Sequence, residues 1–188
     1  LGMTWQVSDR LQQFVQKFKQ GYQQQLPTPK GFQGELRPYQ QQGLGWLQFL
    51  RETQHGGILA DDMGLGKTAQ TLAHLLMEKQ AGYLQESPAL IVAPTSLMHN
   101  WFKEAEKFTP ELKVLLLQGP DRHQYFEQIL HYDIVLTTYP LLARDEEQLK
   151  QYEYHQLILD EAQNIKNPRA KAAQVVRQLK ARHRLCLT

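Results

Sequence analysis

The chain has 188 residues, room for one domain with a substantial core, and its 21 Lys and Arg nearly balance 19 Asp and Glu, for a net charge of +2. With 41% hydrophobic and 21% charged residues, the composition is that of a folded globular protein and excludes wholesale disorder. A single cysteine, Cys186, excludes a disulfide framework and a cysteine-built zinc site, and no apolar run reaches the length needed to span a bilayer.

The chain opens at Leu1 and closes on the apolar Leu185-Cys-Leu-Thr188, whereas natural termini are usually polar, so it reads as a piece of a longer protein. Residues 8–20 read as an amphipathic helix that Ser8 caps, with Leu11, Phe14, Val15 and Phe18 recurring at i, i+3, i+4 and i+7. The stretch 21–35, with Pro27, Pro29, Gly31 and Gly34, reads as a connector. Residues 1–32 are therefore taken as an N-terminal helix and linker, and 33–188 as the main domain. A second helical pattern runs from Leu36 to Leu50 (Leu36, Tyr39, Leu44, Leu47), with Pro38 suited to its first turn.

Beyond it, short apolar runs alternate with helix-compatible stretches. The runs are Gly57–Ala60, Ala89–Ala93, Val114–Leu117, Ile134–Thr137, Leu157–Leu159 and Leu185–Leu187. The stretches between them are 67–80, 97–107, 121–131 and 168–181, and Leu72, Ala73, Leu75 and Leu76 give the first a core-facing stripe. Continuous apolar strands joined by helices predict an α/β fold of three layers around a mostly parallel sheet.

Between the first run and the helix after it lies Ala60-Asp-Asp-Met-Gly-Leu-Gly-Lys-Thr68. A strand entering a glycine-bearing loop that ends in Gly66-Lys67-Thr68, where a helix opens, is the setting of a phosphate-binding loop. Gly64 and Gly66 free the backbone to aim N–H groups at a phosphate, and the helix start adds its positive dipole end. Lys67 would reach the β- and γ-phosphates, and the Thr68 hydroxyl would ligate magnesium. The strict pattern asks for glycine where Asp61 stands. A second signal comes from Leu157-Ile-Leu-Asp-Glu-Ala-Gln163, an apolar strand ending in two acids. At the C-terminal edge of a parallel sheet, Asp160 would hold magnesium, and Glu161 would orient and deprotonate a water.

These segments stand in a telling order. Leu36-Arg-Pro-Tyr-Gln-Gln-Gln-Gly-Leu-Gly-Trp-Leu47 precedes the loop; Ile91-Val-Ala-Pro-Thr-Ser-Leu-Met-His-Asn-Trp101, Asp133-Ile-Val-Leu-Thr-Thr-Tyr139 and Ile158-Leu-Asp-Glu-Ala-Gln-Asn-Ile-Lys-Asn167 follow. Over residues 33–188 this set resembles the first RecA-like lobe, a P-loop NTPase fold, of the Swi/Snf family of DNA-translocating ATPases in helicase superfamily two, the bacterial members above all. The resemblance implies ATP and Mg2+ as cofactors. It implies adenine recognition by Gln40 beside Arg37, and nucleotide contacts from Asp62, Met63, Gly64, Leu65, Gly66, Lys67 and Thr68. Asp61 matches the family's loop, whereas Asp62 replaces its usual glutamate. Pro94, Thr95, Ser96, Asn100, Trp101, Thr137, Thr138 and Tyr139 resemble its DNA-backbone contacts. Gln163 replaces a histidine that many relatives use to couple the nucleotide and DNA sides, and Thr188 opens the family's next coupling motif. Double-stranded DNA and a second RecA-like lobe are implied partners, in a cytoplasmic setting without a membrane.

The basic run from Lys166 to Arg184 has seven Lys and Arg and no acid, which suits either nucleic-acid phosphate or a solvated face. The histidines lack metal-ligand spacing, Trp5, Trp46 and Trp101 read as packing residues, and Ser96 has no partner base. The functional expectation is the ATP-binding lobe of a DNA translocase that remodels protein–DNA complexes, nearly inactive in isolation. A strand-separating RNA or DNA helicase and a non-hydrolysing nucleotide-binding scaffold are the alternatives.

Overall fold

The computed structural model describes residues 12, 13, 16, 25–54, 56–59 and 66–188. Of the predicted helix over 8–20, Gln12, Gln13 and Gln16 are helical and exposed, while Ser8, Leu11, Phe14, Val15 and Phe18 lie outside the described residues. The helices are α1 (Pro38–Glu52), α2 (Lys67–Gln80), α3 (Met98–Phe108), α4 (Tyr139–Arg144), α5 (Glu146–Leu149) and α6 (Lys171–Gln178). The strands are β1 (Gly57–Leu59), β2 (Ala89–Ala93), β3 (Val114–Leu116), β4 (Ile134–Thr138), β5 (Glu153–Leu159) and β6 (Lys180–Leu187).

All strand pairs are parallel, in the order β1-β6-β5-β2-β4-β3. Successive side chains on a strand point to opposite faces, and the buried residues divide accordingly. Ala89, Ile91 and Ala93 of β2, with Ile158 of β5 and Leu185 and Leu187 of β6, join Leu44 and Leu47 of α1, Leu72 and Leu76 of α2 and Met98 of α3 in one cluster. Leu90 and Val92, with Val135, Leu157 and Leu159, join Leu142, Leu149, Val175 and Val176 of α4, α5 and α6 in the other. The fold is α/β with three layers, because strands apolar on both faces need cover on both.

Three expectations shift in detail. Residues 120–131 wind as 3₁₀ turns instead of an α-helix. The helix expected over 168–181 is confined to Lys171–Gln178, because β6 already begins at Lys180. Strand β5 starts at Glu153, four positions before the expected Leu157, and takes His155 and Gln156 into the interior at 1% and 4% exposure.

Gln156 is accommodated by a buried relay. Arg51 donates from Nε to Glu78 Oε1 (2.9 Å) and from Nη2 to Gln48 Oε1 (3.0 Å). Gln48 Nε2 lies 2.7 Å from His74 Nδ1, and His74 Nε2 lies 2.9 Å from Gln156 Oε1. An amide nitrogen only donates and an amide oxygen only accepts, so this pairing selects neutral His74 with its proton on Nε2. Tyr83 stacks on the His155 ring and carries the Arg51 guanidinium over its face at 4.7 Å.

Burial pushes the His74 pKa below its ordinary 6.5, against the pull of the Glu78 charge. The unfolded chain therefore takes up a proton near pH 6.5 that folded His74 refuses. This contribution to stability is whole above that pH and is lost as the pH falls toward the lower folded value. Burial alone would raise the Glu78 pKa, but His155, His74 and Arg51 outweigh it and hold the carboxyl below the ordinary 4.5. Its contribution is present above pH 4.5 and is lost as the pH falls through that lower folded value. The urea midpoint should accordingly fall in two stages on acidification, the first below pH 6.5 and smaller in His74→Gln. A flat midpoint down to pH 5 would show that His74 takes its proton inside the fold as readily as outside.

Candidate functional site

The phosphate-loop half of the site is built on Gly66 and the start of α2. Gly66 holds φ +100°, a left-handed conformation that side chains resist, directly before Lys67 opens the helix. A Cβ there would also run into Gln40 Nε2. Gln40 is placed by α1, where its Oε1 accepts the Arg37 backbone N–H at 2.8 Å. The helix before β1 is thus seated against Gly66, bringing Gln40 beside the start of α2. Asp61, Asp62, Met63, Gly64 and Leu65 lie outside the described residues.

The acidic half stands at the end of β5. Asp160 is 9% exposed, and its carboxylate accepts from Trp101 Nε1–H (2.7 Å, on Oδ2) and from the Glu161 N–H (2.9 Å, on Oδ1). Its backbone carbonyl accepts the Tyr139 hydroxyl at 2.6 Å. Burial raises the Asp160 pKa, while the Trp101 and Glu161 N–H groups and the Lys67 charge pull it back. Glu161 adopts φ +50° and ψ +52°, left-handed for a side-chain-bearing residue, at a typical cost of about 1–3 kcal/mol. The Gln163 amide donates to Glu161 Oε2.

The strands leading to the two halves are not neighbours, because β6 lies between β1 and β5. Thr188, just past β6, fills the interval. Its N–H donates to the Leu59 carbonyl at 3.2 Å, and its own carbonyl accepts from Lys67 Nζ. Lys67, Thr68, Leu97, Asn100, Trp101, Asp160 and Glu161 line a cavity of about 160 Å3.

The residues expected on DNA divide. Thr95 and Ser96 are exposed and Pro94 is half-buried. Asn100 and Trp101 line the cavity beside Lys67 instead. Trp101, Thr137 and Thr138 are 1%, 0% and 2% exposed, so their side chains are not surface contacts, which corrects their assignment. Thr138 Oγ1 caps α4 by accepting the Leu141 N–H, and Tyr139 at 8% exposure points its hydroxyl at Asp160. The basic run is spread over α6, β6 and the turns before them, with Arg184 donating to the Val176 and Leu179 carbonyls and Arg182 paired with Glu153.

Sequence reasoning missed Trp101 as the partner of Asp160. A buried indole N–H requires an acceptor, but no sequence pattern says which one.

Among the described residues no His, Cys, Asp or Glu cluster forms a closed metal site. The cavity offers two hard oxygen donors, the Thr68 hydroxyl and a buried Asp160 carboxylate. That set fits magnesium, which binds through one or two protein oxygens and completes its shell with phosphate and water. No described helix is long and apolar enough to cross a membrane.

Comparison with known proteins places these features in company. The family described as SNF2-related domain matches residues 39–188. YwqA of Bacillus subtilis, provisionally named an ATP-dependent helicase/translocase, is 42% identical over 100% of this chain and 21% of its own length. The ISWI chromatin-remodeling complex ATPase ISW1 of Saccharomyces cerevisiae is 38% identical over 86% of this chain and 15% of its own. The SWI2/SNF2 ATPase core of Sulfolobus solfataricus, solved in complex with dsDNA, superposes with a TM-score of 0.80 at 41% identity, over 88% of this chain and 34% of that one. The chain thus spans about a fifth or less of these curated relatives and about a third of the solved core.

Proposed function

The chain belongs to the SNF2-related domain family, and from that premise we propose that residues 33–188 are the ATP-binding lobe of a DNA-dependent ATPase that translocates on double-stranded DNA and remodels protein–DNA complexes. The observation that carries this reading is the cavity in which Lys67 and Thr68 face Asp160 and Glu161.

The residues divide the work of phosphoryl transfer. Free N–H groups at the start of α2 and the Lys67 ammonium bind the phosphates. Thr68 and Asp160 hold magnesium, whose charge offsets that of the phosphates. Glu161 orients the attacking water and takes its proton. Gln40 and Arg37 stand on the Gly66 side to receive the base. Thr95 and Ser96, exposed beyond the end of β2, suit phosphate contacts that position a duplex without reading its sequence. Gln163, whose amide donates to the Glu161 carboxylate, and Thr188 would carry conformational change to the catalytic groups. The 41% identity to a core solved with dsDNA supports duplex DNA as the partner.

A second RecA-like lobe would complete the ATP site, and an arginine supplied from it would be worth about 10³–10⁵-fold in rate. Residues 1–188 alone should therefore bind ATP with little turnover. A bacterial cytosol or nucleoid is the setting this role calls for.

The test is ATP hydrolysis by the full-length protein with duplex DNA, single-stranded DNA and RNA of equal length, with Lys67→Ala as the blank. Stimulation by duplex DNA that disappears in Lys67→Ala supports the translocase. Preference for single strands or RNA makes the protein a strand separator, and absence of hydrolysis throughout makes it a nucleotide-binding scaffold.

A further inference from the structure

The peptide unit that joins Asp160 to Glu161 is held at both of its polar ends. Its carbonyl accepts the Tyr139 hydroxyl at 2.6 Å, and its N–H donates to Asp160 Oδ1 at 2.9 Å. Tyr139 belongs to the segment whose resemblance implies DNA contact, yet it is 8% exposed and its hydroxyl is spent on Asp160. We propose that Tyr139 is a positioning residue for the hydrolytic step: by holding the Asp160 carbonyl it fixes the peptide plane from which Glu161 is aimed at water. The proposal rests on the reading of Glu161 as the general base.

The fold explains why this peptide needs a holder. Asp160 lies one residue past the end of β5, with its N–H still on the Val92 carbonyl of β2 at 2.8 Å. There the ladder between β5 and β2 runs out, so the Asp160 carbonyl needs a partner off the sheet. Tyr139 opens α4 directly after β4, and its hydroxyl supplies that partner from two strands away, because β2 lies between β4 and β5. The seat of Tyr139 is itself fixed, since Thr138 Oγ1 caps α4 by accepting the Leu141 N–H at 3.2 Å. A phenol is protonated at neutral pH and donates to a carbonyl. Glu161 adopts φ +50° and ψ +52°, which a side-chain-bearing residue keeps only where its surroundings impose it. A peptide unit is planar, so rotating it about the Asp160 Cα–C bond swings Glu161 with it. A general base must stand within hydrogen-bond reach of its proton, and such a rotation takes it out of reach.

The test compares wild type, Tyr139→Phe, Glu161→Gln and the double variant as full-length proteins. The readouts are single-turnover ATP hydrolysis at saturating duplex DNA, ADP affinity and duplex-DNA affinity. Tyr139→Phe removes only the hydroxyl and keeps the buried ring. Its rate should fall by about 10–100-fold while both affinities, which also report an intact fold, stay at wild-type values. In the Glu161→Gln background the same substitution should cost little further, because groups that act as a unit are not additive. A wild-type rate in Tyr139→Phe overturns the proposal. So does an undiminished further loss in the double variant, which would mean that the hydroxyl acts apart from Glu161. Weakened duplex-DNA binding with a wild-type rate at saturation makes Tyr139 a DNA contact, and a parallel loss of ADP binding makes it a packing residue; either result overturns the proposal as well. Wild-type hydrolysis by Glu161→Gln overturns instead the general-base reading beneath it, and that single variant reveals the case.

Discussion

Glu161→Gln is expected to slow ATP hydrolysis by the full-length protein by about 10²–10⁴-fold while leaving nucleotide bound, the range typical of a lost general base. The substitution keeps the size of the side chain and an oxygen able to accept from the Gln163 amide. It removes only the ability to take a proton from water. Glu161 is held in the left-handed region, a costly placement unless the surroundings over-determine it, and the Asp160 carboxylate on its N–H is one such constraint. Single-turnover hydrolysis, measured beside ATP affinity, checks this. An unchanged rate would mean that water is activated elsewhere, and a parallel loss of binding would mean that Glu161 holds nucleotide.

The largest stability effect should come from Arg51→Met, in the last turn of α1, where the guanidinium meets Glu78 near the C-terminal end of α2. Arg51 is the guanidinium partner of Glu78, whose side chain is 0% exposed. Removing one member of a buried ion pair strands the other, at about 3–5 kcal/mol. Against a typical domain stability of about 5–15 kcal/mol, that is a large fraction. Part of the loss is the Gln48 Oε1 contact, which frees the first link of the relay to His74. Arg51→Met combined with Glu78→Leu should recover much of the deficit, because paired removal leaves no buried charge. Denaturant unfolding of the two variants and wild type measures both steps. Arg51→Met that unfolds at the wild-type midpoint would show that Glu78 is sufficiently served by His74 and His155, each 3.6 Å away.

Much of the architecture is legible in the chain because it rests on local pattern. Ala89–Ala93 is apolar at every position, and it emerges as a strand buried along its whole length. Gly66-Lys67-Thr68 marks a helix start, and α2 opens at Lys67. Apolar periodicity failed where the interior is polar. His74, Glu78, His155 and Gln156 interrupt the hydrophobic signal of α2 and β5, yet they are buried, His74 hydrogen-bonded to Gln48 and Gln156, Glu78 paired with Arg51, and His155 stacked on Tyr83. The same limit hid Trp101 behind Asp160, a contact spanning 59 positions.

The sequence by itself determined the α/β alternation, the helix start at Lys67 and Thr68, and the paired acids ending a strand, since each depends on residues close together along the chain. Only the tertiary structure decided that β6 separates the two halves of the site. It alone turned Trp101, Thr137 and Thr138 inward and set Trp101 of α3 behind Asp160. The physical reason is one and the same. A buried donor or acceptor must be satisfied, and which distant residue satisfies it is settled by how the layers pack.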